Sequence, residues 1–144
     1  MVTSQGADDA RAMETAGQRL EFWRRFDDHI RQFRAREPHC DVVVNPFEVG
    51  SWRVKFSVQR PGLMAATAAV GVTDHPAATN DFLIAATPML TIGDRIESGW
   101  RVLIPVLVDA STGHFVLHAD HGPVDESRMC DYFGGVARAL LDRL

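Results

Sequence analysis

The sequence reads as an α+β domain: an antiparallel sheet of five or six strands, covered by a long N-terminal helix and a C-terminal helix. Three features lead there. Apolar residues recur at helical spacing over 9–36, alternate with polar ones over 52–58, and return to helical spacing after 125. A chain of 144 residues, 46% hydrophobic and 24% charged, has the size and balance of one domain. One core is therefore expected over 9–144, behind a short flexible leader at 1–8.

In the first helix Ala16, Leu20, Trp23, Ile30 and Phe33 form an apolar stripe, and Phe22 and Phe26 widen it. Arg34 and Arg36 oppose the helix dipole in the last turn, and Pro38 ends the helix. A strand follows at 42–47. Trp52, Val54, Phe56 and Val58 then alternate with Arg53, Lys55 and Ser57, the pattern of a half-exposed antiparallel strand. Gln59-Arg60-Pro61-Gly62 places Pro and Gly at the centre of a type II turn. The alanine-rich run 63–72 returns as a thin third strand, which completes a meander over 41–72.

Residues 77–90 admit two readings. One is a short helix capped near Thr79-Asn80-Asp81; the other is a strand over 81–87 ended by Pro88. A helix running through Pro88 would cost about 3 kcal/mol. Residues 92–99 read as a loop. The run 100–108 is apolar on both faces, as in a doubly covered strand, with Pro105 marking a bulge or an edge. The loop 109–113 turns it into 114–119, giving a hairpin over 100–119. Pro123 and Asp125 open the closing helix, whose stripe is Met129, Tyr132 or Phe133, Val136, Leu140 and Leu144. Gly134-Gly135 costs it about 2 kcal/mol against alanine. Close approach to the sheet or to a second subunit is the expected compensation.

Nineteen acidic against fifteen basic residues give a net charge of −4, so the basic footprint of a nucleic-acid binder is absent. Fourteen of the basic residues are Arg, which reads as compositional bias. The longest apolar run, 102–108, is far short of the roughly 18 residues of a membrane span. Cys40 and Cys130 belong to no C-x-x-C pair and read as buried thiols of a reducing compartment. With no signal peptide at the start, a cytoplasmic address is expected. Neither a Gly-x-Gly-x-x-Gly nor a P-loop cradle occurs, and no Gly-x-Ser-x-Gly elbow, so no cofactor is expected and catalytic spacing is missing.

Several local clusters invite chemistry. His118-Ala119-Asp120-His121 resembles the second half of the metallo-β-lactamase zinc motif His-x-His-x-Asp-His, but Val116 stands where its leading ligand should be. A zinc site of His114, His118 and His121 is one alternative reading. His39 beside Cys40 would point to the opposite face of an extended chain, which suits a thiol nucleophile poorly. Asp74-His75 reads as a solvated turn. The six Arg of 19–36, against three acids, read as the wet face of a helix. A small-molecule site or enzyme pocket between the first helix and a curved sheet, lined by Trp23, Phe56 and Trp100, is a second alternative.

The main expectation is a partner protein. Trp52 and Trp100 each begin a strand, where an indole serves a core edge or an interface, and Phe133, Gly134 and Gly135 form the close-approach step of the last helix. With 77–90 helical, the order becomes helix, three strands, helix, two strands, helix. That order is similar to the class I chaperones of type III secretion. The strand 52–58, the loop 109–113, the closing helix from Asp125, the size and the acidic charge carry the resemblance. It implies a small bacterial cytoplasmic homodimer that holds a partner's segment extended and catalyses nothing.

Overall fold

The computed structural model describes residues 10–12, 16–45, 52–60, 66–75 and 82–143. The expected leader, the type II turn at Pro61-Gly62 and the cap at 79–81 lie outside them. Elements run in the order β1 (Ala10–Ala12), α1 (Ala16–Arg36), β2 (Cys40–Val44), β3 (Val54–Arg60), β4 (Ala66–His75), β5 (Phe82–Ile92), β6 (Arg95–Ser98), β7 (Val102–Asp109), β8 (Phe115–Ala119) and β9 (Gly122–Asp125). A 3-10 turn at Glu126–Arg128 then leads into α2 (Met129–Leu141). The fold is α+β, and its sheet is antiparallel throughout and larger than the five or six strands expected. The path runs β2-β3-β4-β5-β7-β8-β9, with β6 paired to β5 and β1 to β7.

The meander is present, with Val42 opposite Phe56 and Phe56 opposite Val70. Residues 82–92 form one long strand, so the helical reading of this stretch does not hold there, and neither does an element order that needs it. Pro88 is accommodated by a change of partner. Up to Ala86 one edge of β5 pairs with β7, and from Met89 it pairs with β6. The Pro88 carbonyl accepts from Gly99 N at 2.7 Å on that edge. A strand residue's N–H and C=O share an edge, so the missing N–H falls in the gap between two ladders.

Four more expectations need correction. Residues 10–12 are not the start of a helix but a strand, with Ala10 opposite Asp109. Residues 95–98, expected to be loop, close a hairpin on β5 through Gly93-Asp94. Gly93, at φ 58°, supplies the positive φ that a Gly-first two-residue turn requires. Residues 122–125 pair with β8 instead of opening the last helix, and Pro123 is tolerated because β9 is the sheet edge. Leu20, placed on the buried stripe of α1, is 72% exposed.

Both helices pack on one face of the sheet. Phe22, Trp23, Phe26, Ile30 and Phe33 of α1 meet Val42, Phe56 and Phe115 of the strands and Phe133 of α2 in one core. The rings pack edge to face or stacked, with Phe56 5.8 Å from Phe33 and 5.5 Å from Phe133. Such pairs add about 0.5–1.5 kcal/mol each beyond the area they bury. The alanines of β4 leave room for α2 to lie across β3 and β4. At the crossing with α1, a Cβ on Gly134 would sit 2.9 Å from Phe33 Cζ, so the glycine sets how closely the helices approach. The expected close approach is therefore met inside the chain.

Candidate functional site

Helix α2 carries two faces. Met129, Cys130, Phe133, Gly134, Ala137 and Leu141 are buried against the sheet and α1. The second face recurs at three- and four-residue steps: Asp131, Tyr132, Gly135, Val136, Ala139, Leu140 and Arg143. It forms one wall of an open groove of about 720 Å³. The opposite wall is Pro88 with the segment 99–102, where Trp100 is 90% exposed. A smaller and more enclosed depression of about 310 Å³ continues the groove past the first turn of α2, between Arg128 and the β8–β9 turn, and shares His121, Asp131 and Tyr132 with it.

The groove exists because of local sequence. Gly99 is the residue whose N–H binds the Pro88 carbonyl; from there the chain leaves β6 and re-enters the sheet as β7, so Trp100 sits on a connection and not in a strand. Nothing lies within 4 Å of a Cβ built on Gly135, so the helix offers an open trough there. Of the partly buried residues, Tyr132, Val136 and Leu140 are packed at the margin of the core. Burial raises the Tyr132 phenol above its ordinary value, with the charge of Asp120 adding to the effect. Asp131 is held by Arg36 at 2.8 Å.

A second cluster lies on the opposite side of α1 from the solvent. Glu126, 5% exposed, is reached by Arg25 at 2.6 Å and by His29 Nε2 at 2.9 Å, and its Oε1 accepts from Phe115 N at 3.0 Å. An ionised carboxylate only accepts, so His29 donates. Arg25 also stacks over the Phe115 ring at 4.8 Å and donates to the Gly113 carbonyl. Burial works to raise the Glu126 carboxyl, but the hydrogen bonds from His29 and Phe115 and the Arg25 charge outweigh it, so it is held below the usual glutamate value. Its acceptor sites tie together α1, the start of β8 and the turn before α2, and Arg25 extends the link to the β7–β8 loop. That geometry is a brace.

The residues singled out from sequence fall in different places. Trp100 and Gly135 line the groove together. Phe133 and Gly134 belong to the core, since α2 turns that side inward, and they are not available to a partner. Trp52 lies on the opposite face of the sheet, covering Gly71 so closely that a Cβ there would be 2.6 Å from the indole, with Lys55 over the ring at 5.5 Å. The pocket expected between α1 and the sheet is filled: Trp23 and Phe56 are core residues, and Phe22, Phe26 and Phe133 occupy the space around them. Trp100 is not among them.

His114 and His118 are exposed on the β7–β8 hairpin, and only His121 reaches the groove. Among the described residues no three His, Cys, Asp or Glu groups come together as a metal site. Cys40 and Cys130 are free and buried, and burial pushes the Cys130 thiol up to about 12, far from thiolate reactivity. The helix stripe of 131–143 was missed from sequence because Tyr132, Val136 and Leu140 were assigned to the core face. The brace was missed because Glu126 is remote from Arg25 and His29. The i, i+4 spacing of Arg25 and His29 was its one sequence signal.

No family model, curated protein or solved structure matches the chain. No described helix is long and apolar enough to cross a membrane.

Proposed function

We propose that the protein is a non-catalytic binding module that holds a segment of a partner protein in the groove between Trp100 and α2. The observation that carries this reading is Trp100 itself, 90% exposed at the lip of an apolar trough. Indoles are among the side chains most enriched at interface hot spots, and among the described residues Trp100 is the most exposed large hydrophobic side chain. The chaperone, immunity or adaptor role expected from element order, size and charge keeps its size and charge but not its element order, because residues 82–92 are strand and provide no middle helix. A zinc or pocket enzyme is less well supported, because the His residues are spread along a hairpin and the space under α1 is filled.

A photo-crosslinking amino acid at Ala139, compared with one at Ser57 on the other face of the sheet, tests the reading in the native host. The expected result is a crosslink from position 139 to one defined segment of one protein, and the same segment made synthetically should compete it away. Equal crosslinking from both positions, or none that the synthetic segment displaces, would sink the proposal.

A further inference from the structure

Resting on the groove as the partner site, we infer that its occupant is an apolar segment of another protein that carries a carboxylate at the end nearer the C-terminus of α2. The charges around the groove are not evenly distributed. Three side chains that carry charge near neutral pH or can gain it line it, His121, Asp131 and Arg143, together with the Tyr132 phenol. Asp131 is neutralised by Arg36. Arg143 has no acidic or hydrogen-bonding side-chain partner among the described residues; neither has Arg101, which follows Trp100, nor Arg128 at the other end, where Asp125 lines the same depression. Most other described arginines are engaged: Arg25 with Glu126, Arg53 with Asp27, Arg60 with Asp142 and Arg138 with Glu37.

At the opposite end the balance differs. Arg128 lines the continuation of the groove with Asp125, and the charge of Asp120 reaches Tyr132. The trough therefore runs from a mixed end to a basic end over about 20 Å, taking the helical rise from Arg128 to Arg143. About six extended residues cover that distance. A carboxylate beside Arg143 satisfies the guanidinium, and a cation there is repelled.

Size separates this occupant from a second copy of the chain. Twelve residues line the groove. A stable protein interface of standard size engages about 20–30 residues a side, so the groove alone is too small to hold a dimer together. Charge separates it from nucleic acid. Trp100 and Tyr132 offer rings for stacking, but the chain carries a net charge of −4 and Arg143 is the one arginine among the twelve lining residues, so the groove has no basic track for a phosphate backbone.

The test uses the full chain and three probes: a synthetic peptide with a Leu-Phe-Val-Leu centre and glutamates at its C-terminal end, the same peptide with lysines there and at both termini in turn, and an oligothymidylate. Peptides with the acidic residues moved to the N-terminal end cover the reverse polarity. Binding is read by fluorescence anisotropy of the labelled probe, with size-exclusion chromatography and light scattering for oligomeric state. The acidic peptide in one polarity should bind about fivefold more tightly than its lysine counterpart, the value of a partly exposed ion pair. Arg143→Glu should reverse that order, and Trp100→Ala should weaken both peptides at least tenfold. Thermal unfolding should be unchanged in either variant, since both residues are exposed.

Equal affinity for acidic and basic peptides, with the Trp100 effect intact, would overturn the charge inference and leave the groove reading standing. Failure of every peptide to bind would overturn both. Tighter binding of the oligothymidylate, or a dimer in which Arg143 is protected, would overturn the inference in favour of those occupants.

Discussion

Two adjacent glycines on α2 do opposite things. Gly134 faces inward, where a Cβ would meet Phe33 Cζ at 2.9 Å, and Gly135 faces the groove with nothing within 4 Å. Alanine gains about 1 kcal/mol of helix propensity at either position. At Gly135 that gain should appear in full, raising stability by about 0.5–1 kcal/mol. At Gly134 overpacking of about 1–3 kcal/mol opposes it, so the variant should be neutral to destabilised. Chemical denaturation of the two alanine variants checks the sign, and an equal gain at both positions would refute the assigned faces. From sequence the pair read as one close-approach step, because nothing in Gly-Gly says which side of the helix meets a neighbour.

Glu126 makes a second prediction at the same scale. Its folded value lies below that of an unfolded glutamate, so its contribution is complete above the ordinary glutamate range and is lost as pH falls through the lowered value. Glu126→Gln should therefore cost about 1–3 kcal/mol near neutral pH, where Arg25 loses a buried ionic partner. The cost should shrink on acidification. Stability measured from pH 7 down to pH 3 checks this; a cost independent of pH would show that the carboxylate is not the ionised centre of the brace.

The elements legible in the sequence were those whose apolar pattern has one wet side. The alternation holds over 54–58, with Trp52 the exception that covers Gly71 on the other face, and the aromatic stripe of α1 is in place because Phe56, Phe26 and Phe33 bury one face each. Elements with two apolar sides gave a mixed result: 102–109 reads as a strand and is one, whereas 82–92 stays open between helix and strand, and the elements with little apolar content read as loop or helix start. Residues 82–92 are apolar on both faces and include Pro88, so periodicity could not separate helix from strand, and only the two ladders on one edge of β5 explain the proline. β6 carries a single large apolar residue, Ile96, and β9 a single Val124, so neither stood out from loop.

α2 was recognised as a helix, but its two apolar stripes merged into one. The faces can be separated experimentally. Phe133→Ala should destabilise by about 3–5 kcal/mol, as a buried ring leaving a cavity. Ala139→Asp, on the exposed face, should change stability by less than about 0.5 kcal/mol and still block the groove. Similar stability costs for the two would mean that the second face is core.

At the scale of the molecule, a curled antiparallel sheet with both helices on one side closes its own core and leaves the outer apolar face of α2 open beside the groove. The pocket expected under α1 could not be judged from sequence, since whether eight Phe fill a space or line it depends on how the strands converge. The groove that does form draws on residues 88, 99–102 and 121–143, which are distant in sequence and meet only through the order β5-β7-β8-β9 and the packing of α2. Of its residues, Trp100 and Gly135 were visible in advance as interface candidates, and the charged end at Arg143 was not. The low net charge of the chain concealed it, because paired acids and arginines dominate the total.

The most direct measurement is nitrogen–proton correlation spectroscopy of the full chain titrated with the Leu-Phe-Val-Leu peptide ended by glutamates. The shifts should concentrate on the Trp100 indole N–H and on the amides of Tyr132, Gly135, Val136, Ala139 and Leu140, with Phe56 and the rest of the core unmoved. Shifts centred on β2 or around Trp52, or a titration that leaves the Trp100 indole in place, would contradict the assignment of the groove as the partner site.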